Sequence, residues 1–316
     1  MTLCTRPTRM SSPTIARDLT GQVRLIGAYA VAHGGNSDIW KGECKSQDNP
    51  LCQVVAVKVI KSHLLPDKAA EASYKLRREA RVWATLLHPN IAPLLGIASD
   101  LSKYGGPSLV SPWYPNGNLK QHMLLNHSHL SFRQRLEMLY QLGNGLQYLH
   151  TSNVVHGDLK PGNVLIGDSG EVVITDFGLS RILEVAGFTT NNIHGTVRYF
   201  APELCIIHSD RPSRTTKEAD VWALAVTATE MFSLRTPYEG ATEAAVVLYV
   251  SRDKGHLKRE HYNEITDNDL WSLLERCWRF EPNRRPTMDG INEFLRIKRN
   301  AYDAKRHRQA GCGVLL

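Results

Sequence analysis

Two polar clusters carry the side chains of this 316-residue chain that are best suited to chemistry, and apolar runs enclose both. The first holds Asp158, Lys160 and Asn163, and the second ends in Asp176. An aspartate can accept a proton from a hydroxyl group, and an asparagine with an aspartate supplies the hard oxygen ligands that suit Mg²⁺ on a phosphate. Lys160 can neutralise charge on a phosphoryl group. The two clusters together therefore indicate metal-assisted phosphoryl chemistry. A single short motif, such as Asp176-Phe177-Gly178, would by itself indicate an ordinary turn.

Short strands and one long helix must position these clusters. The apolar residues around each cluster predict buried strands whose end loops hold the charged residues. Upstream, Ser131 is a suitable N-cap for a helix that continues to about His150, with leucines in helical rhythm. This helix would deliver the chain to the first cluster.

Both clusters resemble the catalytic and metal-binding loops of eukaryotic protein kinases. Other segments match that family in the same order along the chain: the hairpin over residues 29–42, the strand 53–60, the helix 67–87, the hinge-like segment 109–119, the segment 195–203, the helix that opens at Asp220 and the C-W-x-x-x-P-x-x-R-P motif at 277–286. The resemblance covers roughly residues 21–300. It implies an α+β, two-lobed protein-kinase-like fold, with a small β-rich N-lobe that has one key helix and a larger, mainly helical C-lobe.

The resemblance implies a nucleotide site for ATP. Its expected residues are Ala32, Gly34, Gly35, Ser37, Ile39, Ala56, Lys58, Glu79, Ser111, Pro112, Tyr114 and Leu165. Lys58 would reach the α- and β-phosphates, with Glu79 as its partner. Adenine would bond the carbonyl of Pro112 and the backbone N–H of Tyr114, so a proline is acceptable at the first of these positions.

The resemblance also assigns the catalytic roles. Asp158 would accept the proton of the substrate hydroxyl, and Lys160 would steady the γ-phosphoryl group, while Asn163 and Asp176 would hold Mg²⁺. Lys160, together with a G-T-x-x-Y-x-A-P-E segment that contains Thr196, is similar to the pattern of serine/threonine kinases. The C-W-x-x-x-P-x-x-R-P motif resembles that of the tyrosine-kinase-like group. The expected substrate is therefore a protein with a serine or threonine acceptor.

Gly157 replaces an arginine that many kinases have directly before the catalytic aspartate. In those enzymes the guanidinium pairs with a phosphate on the activation segment and orders that segment. Thr189, Thr190 and Thr196 are candidate acceptors of such a phosphate in this chain, and Arg181 or Arg198 could replace the missing arginine. Because position 157 has no side chain, we expect activity to depend little on phosphorylation of this segment.

The pattern divides the chain into three parts. Residues 1–20 are rich in Ser, Thr, Pro and Arg and predict a disordered tail. The kinase-like domain is expected over residues 21–300, with the N-lobe at about 21–111, the hinge at 112–118 and the C-lobe at 119–300. Residues 301–316 predict a basic tail.

Composition indicates the cellular setting and the partners. The net charge of +7 is modest, and the six cysteines form no C-x-x-C pair, so we expect a cytoplasmic protein with free thiols. No apolar run reaches the roughly 18 residues of a membrane-spanning helix, and no nucleic-acid partner is expected. Basic residues near the C-terminus indicate either a solvated helix or a weak anionic partner; they are Arg296, Lys298, Arg299, Lys305, Arg306 and Arg308.

Two other functions stay open at this point. A pseudokinase scaffold would keep the fold for binding partners, and the hairpin favours it because Ala32 and Ser37 stand where the family has glycines. A small-molecule phosphotransferase would share the catalytic logic. The Ala201-Pro202-Glu203 segment, with Arg285 as the expected partner of Glu203, argues instead for a protein substrate.

Overall fold

The computed structural model describes residues 16–33, 37–46, 49–60, 69–101, 106–126, 129–177, 196–206, 215–252 and 255–312. The chain divides into two compact units, one of residues 1–87 with 93–113 and one of residues 88–92 with 114–316. The described elements of the first unit are mainly strands, and those of the second are mainly helices. The predicted fold class is confirmed.

An antiparallel sheet dominates the first unit. Its strands are β1 (Val23–Ile26), β2 (Ala32–His33), β3 (Ser37–Ser46), β4 (Asn49–Ile60), β5 (Gly96–Ala98) and β6 (Ser108–Pro112), and helix α1 (Ala69–Trp83) lies between β4 and β5 in sequence. The order across the sheet is β1-β3-β4-β6-β5, and β2 pairs with β3. Alternation along β4 and β6 places Val55, Val57 and Val110 on one face, where they are fully buried in a hydrophobic cluster.

The disordered tail predicted over residues 1–20 needs correction for residues 16–20. Asp18 forms a bridge with Ile97 of β5, and the backbone N–H of Leu19 donates to the Ile97 carbonyl at 2.8 Å. The Leu19 side chain is 2% exposed and belongs to the hydrophobic cluster of the sheet. The composition of this polar segment did not predict the contact, because Leu19 is the one residue of the described segment in the hydrophobic cluster.

The second unit is built on helices with one small sheet. The helices are α2 (Leu119–Asn126), α3 (Phe132–Thr151), α4 (Pro202–Cys205), α5 (Lys217–Ser233), α6 (Glu243–Ser251), α7 (Asn268–Cys277) and α8 (Met288–Cys312), and the strands β7 (Val164–Ile166) and β8 (Val172–Ile174) pair antiparallel. The predicted helix after Ser131 is confirmed as α3, with a capping box between Ser131 and Gln134. Helix α5 is buried on all sides from Ala219 to Ser233, as expected for a mostly apolar helix inside a core, although Asp220 and Glu230 are buried with it.

A buried ion pair connects the start of α4 with the chain before α8. Arg285 donates through two nitrogens to the two carboxylate oxygens of Glu203, each at 2.7 Å. The Arg285 side chain is fully buried, and its guanidinium lies 5.2 Å from the centre of the Trp222 ring. The predicted pair is therefore present, in the bidentate geometry that makes such contacts strong.

Helix α8 continues through Cys312 and so crosses the boundary at residue 300 that the sequence pattern indicated. Asp303 accepts two hydrogen bonds from Arg133 of α3, at 2.8 and 2.9 Å. Arg299 donates to Glu137 of the same helix. The basic segment is therefore helical as far as Cys312, and part of it packs on α3. Among the helices of the described residues, none combines the length and the apolar character of a membrane span.

Candidate active site

Helix α5 anchors the loop that contains the first polar cluster. Asp220, which is 1% exposed, accepts backbone N–H groups of His156 and Gly157, both at 2.8 Å. Its carboxylate also lies 2.9 Å from Nε2 of His150, at the end of α3. Gly157 has a φ of 80°, a conformation that side chains disfavour. A buried carboxylate thus fixes the backbone directly before Asp158.

One oxygen of Asp158 is held by two neighbours. Lys160 Nζ donates to Asp158 Oδ2 at 2.7 Å, and Asn163 Nδ2 donates to the same oxygen at 2.9 Å. Lys160 Nζ also donates to Thr196 Oγ1 at 2.7 Å. The three residues predicted as catalytic therefore lie together, and Thr196 joins them from a segment 36 residues away from Lys160.

The other oxygen of Asp158 is in a different environment. Asp158 Oδ1 is buried and has no hydrogen-bond partner in the described residues. A buried polar atom without a partner is uncommon in folded proteins and calls for an explanation, such as a catalytic role. Since Lys160 and Asn163 occupy Oδ2, the oxygen that is free to accept a proton is Oδ1.

Asn163 and Asp176 lie on neighbouring loops that a backbone hydrogen bond joins. The N–H of Thr175 donates to the Asn163 carbonyl at 3.0 Å, and Asp176 follows β8 with a φ of 63°. Both amide hydrogens of Asn163 are taken up by Asp158, one by its carboxylate and one by its carbonyl at 2.8 Å. The side-chain oxygen of Asn163 is therefore the atom it can offer to a cation.

This donor set fits a hard divalent cation that is bound together with a phosphate. Oxygen ligands from an amide and a carboxylate suit such an ion. No group of three or more His, Cys, Asp or Glu side chains in the described residues could hold a metal by itself. A cation at Asn163 and Asp176 would take its other oxygen ligands from outside these side chains, such as from phosphate or water.

Several predicted nucleotide-binding residues share one face of the sheet in the first unit. Ile39 of β3 lies opposite Lys58 of β4, and Ala32 of β2 lies opposite Ile39. Ala56, two residues before Lys58, lies opposite Ser111 of β6. This face is the reverse of the one that carries Val55 and Val57, because side chains alternate along a strand.

The remaining predicted residues differ in placement. Ser37 begins β3, opposite Ile60, and Pro112 ends β6, opposite Val55.

Tyr114 and Leu165 belong to the second unit. The Tyr114 carbonyl accepts a hydrogen bond from the N–H of Gly117, and Leu165 lies in β7. Burial, followed by the charges of Glu171 and Asp168, raises the pKa of Tyr114. Gly34, Gly35 and the side chain of Glu79 lie outside the described residues.

The sequence pattern missed the contacts that Asp220 and Arg198 make. Asp220 was noted only as the start of an apolar helix, although a charged residue at that position was a signal of an unusual partner. Arg198 donates to the backbone carbonyls of Pro237, Tyr238 and Ala241, each at 2.7 Å. No local pattern indicates these partners, because they lie about 40 residues away.

A small pocket lies beside the reactive groups within the second unit. Asp158 and Thr196 line it, together with Tyr199, Phe200 and Leu204. Its lining combines the polar side chains of Asp158 and Thr196 with apolar and aromatic residues. Because the pocket adjoins Asp158, the residue predicted to accept the substrate proton, we refer to it as the acceptor pocket.

Comparison with known proteins agrees with this geometry. The family model described as "Protein tyrosine and serine/threonine kinase" matches residues 28–295. The chain is 36% identical over 231 residues to serine/threonine-protein kinase PknA of Mycobacterium tuberculosis, which covers 72% of this chain and 51% of that protein. It is 31% identical over 248 residues to serine/threonine-protein kinase CTR1 of Arabidopsis thaliana, covering 77% and 28%. It is 29% identical over 240 residues to human receptor-interacting serine/threonine-protein kinase 1, covering 72% and 35%. The match thus spans about half the length of PknA and less of the other two.

Proposed function

Because the chain belongs to the family of protein tyrosine and serine/threonine kinases, we propose that it transfers the γ-phosphoryl group of ATP to serine and threonine hydroxyls of protein substrates. The family uses ATP with a divalent metal ion. Relatives from a bacterium, a plant and human are named serine/threonine kinases, which supports this acceptor specificity.

The observation that carries the proposal is the placement of the Lys160 ammonium. It donates to Asp158 Oδ2 and to Thr196 Oγ1 at 2.7 Å in each case. Asp158 Oδ1 accepts the proton of the substrate hydroxyl, since it is the carboxylate oxygen without a partner in the described residues. Lys160 offsets negative charge on the phosphoryl group as it moves.

Asn163 and Asp176 are the proposed metal ligands, and Mg²⁺ is the proposed metal. Their oxygen atoms suit a hard cation, and Mg²⁺ is commonly held by a few protein oxygens with substrate phosphates. When bound, Mg²⁺ supplies positive charge at the β- and γ-phosphates. Asn163 also holds the Asp158 carboxylate, so one side chain serves the base and the metal.

The proposed nucleotide residues are those predicted from the sequence. Lys58, with Glu79 as its partner, pairs with the α- and β-phosphates, while Ala56 leaves room for adenine next to Ser111. Adenine bonds the Pro112 carbonyl and the Tyr114 N–H. Ala32, Gly34, Gly35, Ser37, Ile39 and Leu165 complete the proposed contacts.

Location and a further partner are also proposals. We propose a cytoplasmic location, because Cys44, Cys205 and Cys277 are free thiols. A weak anionic partner would have to use Lys305, Arg306 and Arg308. Arg296, Lys298 and Arg299 already pair with carboxylates of the second unit.

Transfer of labelled phosphate from ATP to a generic protein substrate tests the proposal. The parent is compared with Asp158→Asn, which removes the base, and with Asp176→Asn, which removes a metal charge while keeping the shape. Each variant should lose at least about a hundredfold in turnover and retain the circular dichroism spectrum of the parent. A parent that binds ATP but transfers no phosphate would favour the scaffold alternative that Ala32 and Ser37 suggest.

A further inference from the structure

A buried carboxylate on α5 has both of its oxygens occupied. Glu230 is 7% exposed. Its Oε2 accepts a hydrogen bond from the Tyr199 hydroxyl. Its Oε1 lies 3.2 Å from the ammonium of Lys120. Three segments that are distant in sequence therefore meet at one carboxylate: the first turn of α2, the segment before α4, and α5.

Tyr199 places this cluster next to the acceptor site. Its side chain lines the pocket that Asp158 and Thr196 also line. Burial and the Glu230 carboxylate raise the pKa of Tyr199, and the charge of Asp158 adds to the effect. The phenol therefore stays protonated and donates to Glu230. Tyr199 therefore contacts both the acceptor pocket and the carboxylate of the ion pair.

Lys120 is the exposed partner of the pair. Its side chain is 48% exposed, whereas that of Glu230 is 8% exposed. An ammonium has three N–H donors, and Glu230 is the only partner of Lys120 in the part of the chain that the structure describes. Lys120 lies in the first turn of α2, where the end of the helix dipole is also positive, and that turn contains no acidic residue.

Near the acceptor pocket, the surface therefore presents the Lys120 ammonium. Both oxygens of the Glu230 carboxylate behind it already have partners. A basic substrate residue cannot reach Glu230 without displacing Lys120. An acidic substrate residue can use the remaining donors of Lys120 in a charge-assisted hydrogen bond. Within the neutral Lys120–Glu230 pair, an incoming chain thus meets the ammonium before the carboxylate.

We propose that Lys120 is a specificity-determining residue that favours substrates with an aspartate or glutamate close to the acceptor serine or threonine and disfavours those with a lysine or arginine there. This inference rests on the proposed kinase function. It adds a substrate preference that depends on the contact of Lys120 with Glu230 and Tyr199.

The test uses peptides with one acceptor serine in a neutral background. Each of the three positions on either side of the serine is replaced in turn by glutamate or lysine. We compare kcat/KM for each glutamate peptide with that for the matching lysine peptide. The enzymes are the parent, Lys120→Gln, Lys120→Arg and the control Lys298→Gln. Lys298 is a lysine that pairs with carboxylates, Asp267 and Asp269, outside this cluster.

At one or more positions the parent should prefer glutamate. Lys120→Gln should lower that glutamate-to-lysine ratio by about fivefold, which is the upper end of the effect of an exposed charge pair, because it removes the cation and leaves Glu230 open to a basic residue. Lys120→Arg and Lys298→Gln should keep the parent ratio. A loss of folding stability does not change a ratio measured within one variant, so a merely structural role for Lys120 would leave it unaltered.

Binding of the same peptides separates this inference from the proposed function. Fluorescence anisotropy gives a Kd for each peptide with Asp158→Asn and with the Asp158→Asn/Lys120→Gln double variant, and neither measurement needs turnover. A parent that phosphorylates no peptide would contradict the proposed function, while the binding ratio would still report on Lys120. Equal ratios in the two variants, or no preference for glutamate at any position, would overturn the inference.

Discussion

Lys58 stands on a strand whose other face is buried. It lies opposite Ile39 and Leu109, and its neighbours in sequence, Val57 and Val59, are apolar. Burying an ammonium is costly without an anion. Its position on the face shared with Ala56 agrees with the proposed role at the phosphates of ATP.

We expect Lys58→Met to lower kcat/KM by at least about a hundredfold, because the phosphates lose a cation that positions them. Methionine keeps the length and the apolar contacts, so Tm without nucleotide should change little. Lys41→Met is a matched control on the adjacent strand, where the ammonium lies 5.2 Å from the centre of the Trp113 ring. Turnover of Lys58→Met equal to that of the parent would exclude Lys58 from the site.

His156 is a second residue whose environment has a measurable consequence. It is fully buried, and its Nδ1 accepts the N–H of Asp158 at 3.2 Å. Burial lowers the pKa of His156, although the charges of Asp220, Asp158 and Asp176 oppose the shift. The folded state therefore holds the neutral imidazole.

The free energy of unfolding should fall as the pH is lowered from 7 to 5.5. The unfolded chain takes up a proton near the ordinary histidine pKa of about 6.5, while folded His156 does not, and this difference favours unfolding at lower pH. Urea titrations at both pH values should show a smaller fall for His156→Asn than for the parent. The exposed His129→Gln serves as the control, and a fall unchanged in His156→Asn would contradict the assignment. His88 and His122, whose pKa values burial also lowers, would account for a residual fall.

At the scale of elements, α5 provides the support of the catalytic loop. Asp220 binds two backbone N–H groups of that loop. Because Gly157 has no side chain, the loop itself offers no guanidinium to a phosphate. Arg198 is engaged by three backbone carbonyls, so it is already committed to another contact. Arg181, Thr189 and Thr190 lie outside the described residues.

We expect the Thr189→Ala/Thr190→Ala double variant to keep activity within about tenfold of the parent, which corresponds to ~1.4 kcal/mol of barrier. Phosphatase treatment of the parent should have an equally small effect, because the arginine that would bind the phosphate is absent. Peptide turnover measures both. A thousandfold loss that rephosphorylation of the parent restores would show that another basic residue binds the phosphate.

At the scale of the whole molecule, the end of the chain packs back on an early helix of the second unit. Arg133 binds Asp303 across 170 residues, and the Phe132 and Tyr302 rings lie 5.9 Å apart. Arg299 lies 4.2 Å over the ring of Tyr140. The C-terminal part of α8 up to Asp303 is thus a structural part of this unit.

Two truncations distinguish the contribution of Tyr302 and Asp303 from that of the residues that follow them. Deletion of residues 304–316 should leave turnover within a few-fold and stability nearly unchanged. Deletion of residues 301–316 also removes Tyr302 and Asp303 and should cost about 1–2 kcal/mol of unfolding free energy; the Asp303 side chain is 41% exposed, so solvent screening limits the loss. Thermal denaturation and peptide turnover measure both. Equal stability of the two truncations would show that the Asp303 contact contributes little.

The sequence by itself determined the elements and the local chemistry. The capping box and leucine rhythm of α3, the alternation along β4 and the spacing of Asp158, Lys160 and Asn163 are short-range patterns. Side chains two to five residues apart on one loop meet because the backbone between them is short. The family motifs added the order of the elements, and the fold class followed from it.

The tertiary structure alone decided which distant residues meet. Thr196 reaches Lys160, Asp220 holds the loop before Asp158, and Tyr199 with Lys120 closes on Glu230. Two of these contacts use side chains of the buried helix α5, Asp220 and Glu230, and depend on how that helix packs against other segments. Periodicity shows that such a helix is buried but contains no information about its partners. The substrate preference proposed for Lys120 depends on the tertiary structure in the same way, because packing brings its exposed charge next to the acceptor pocket.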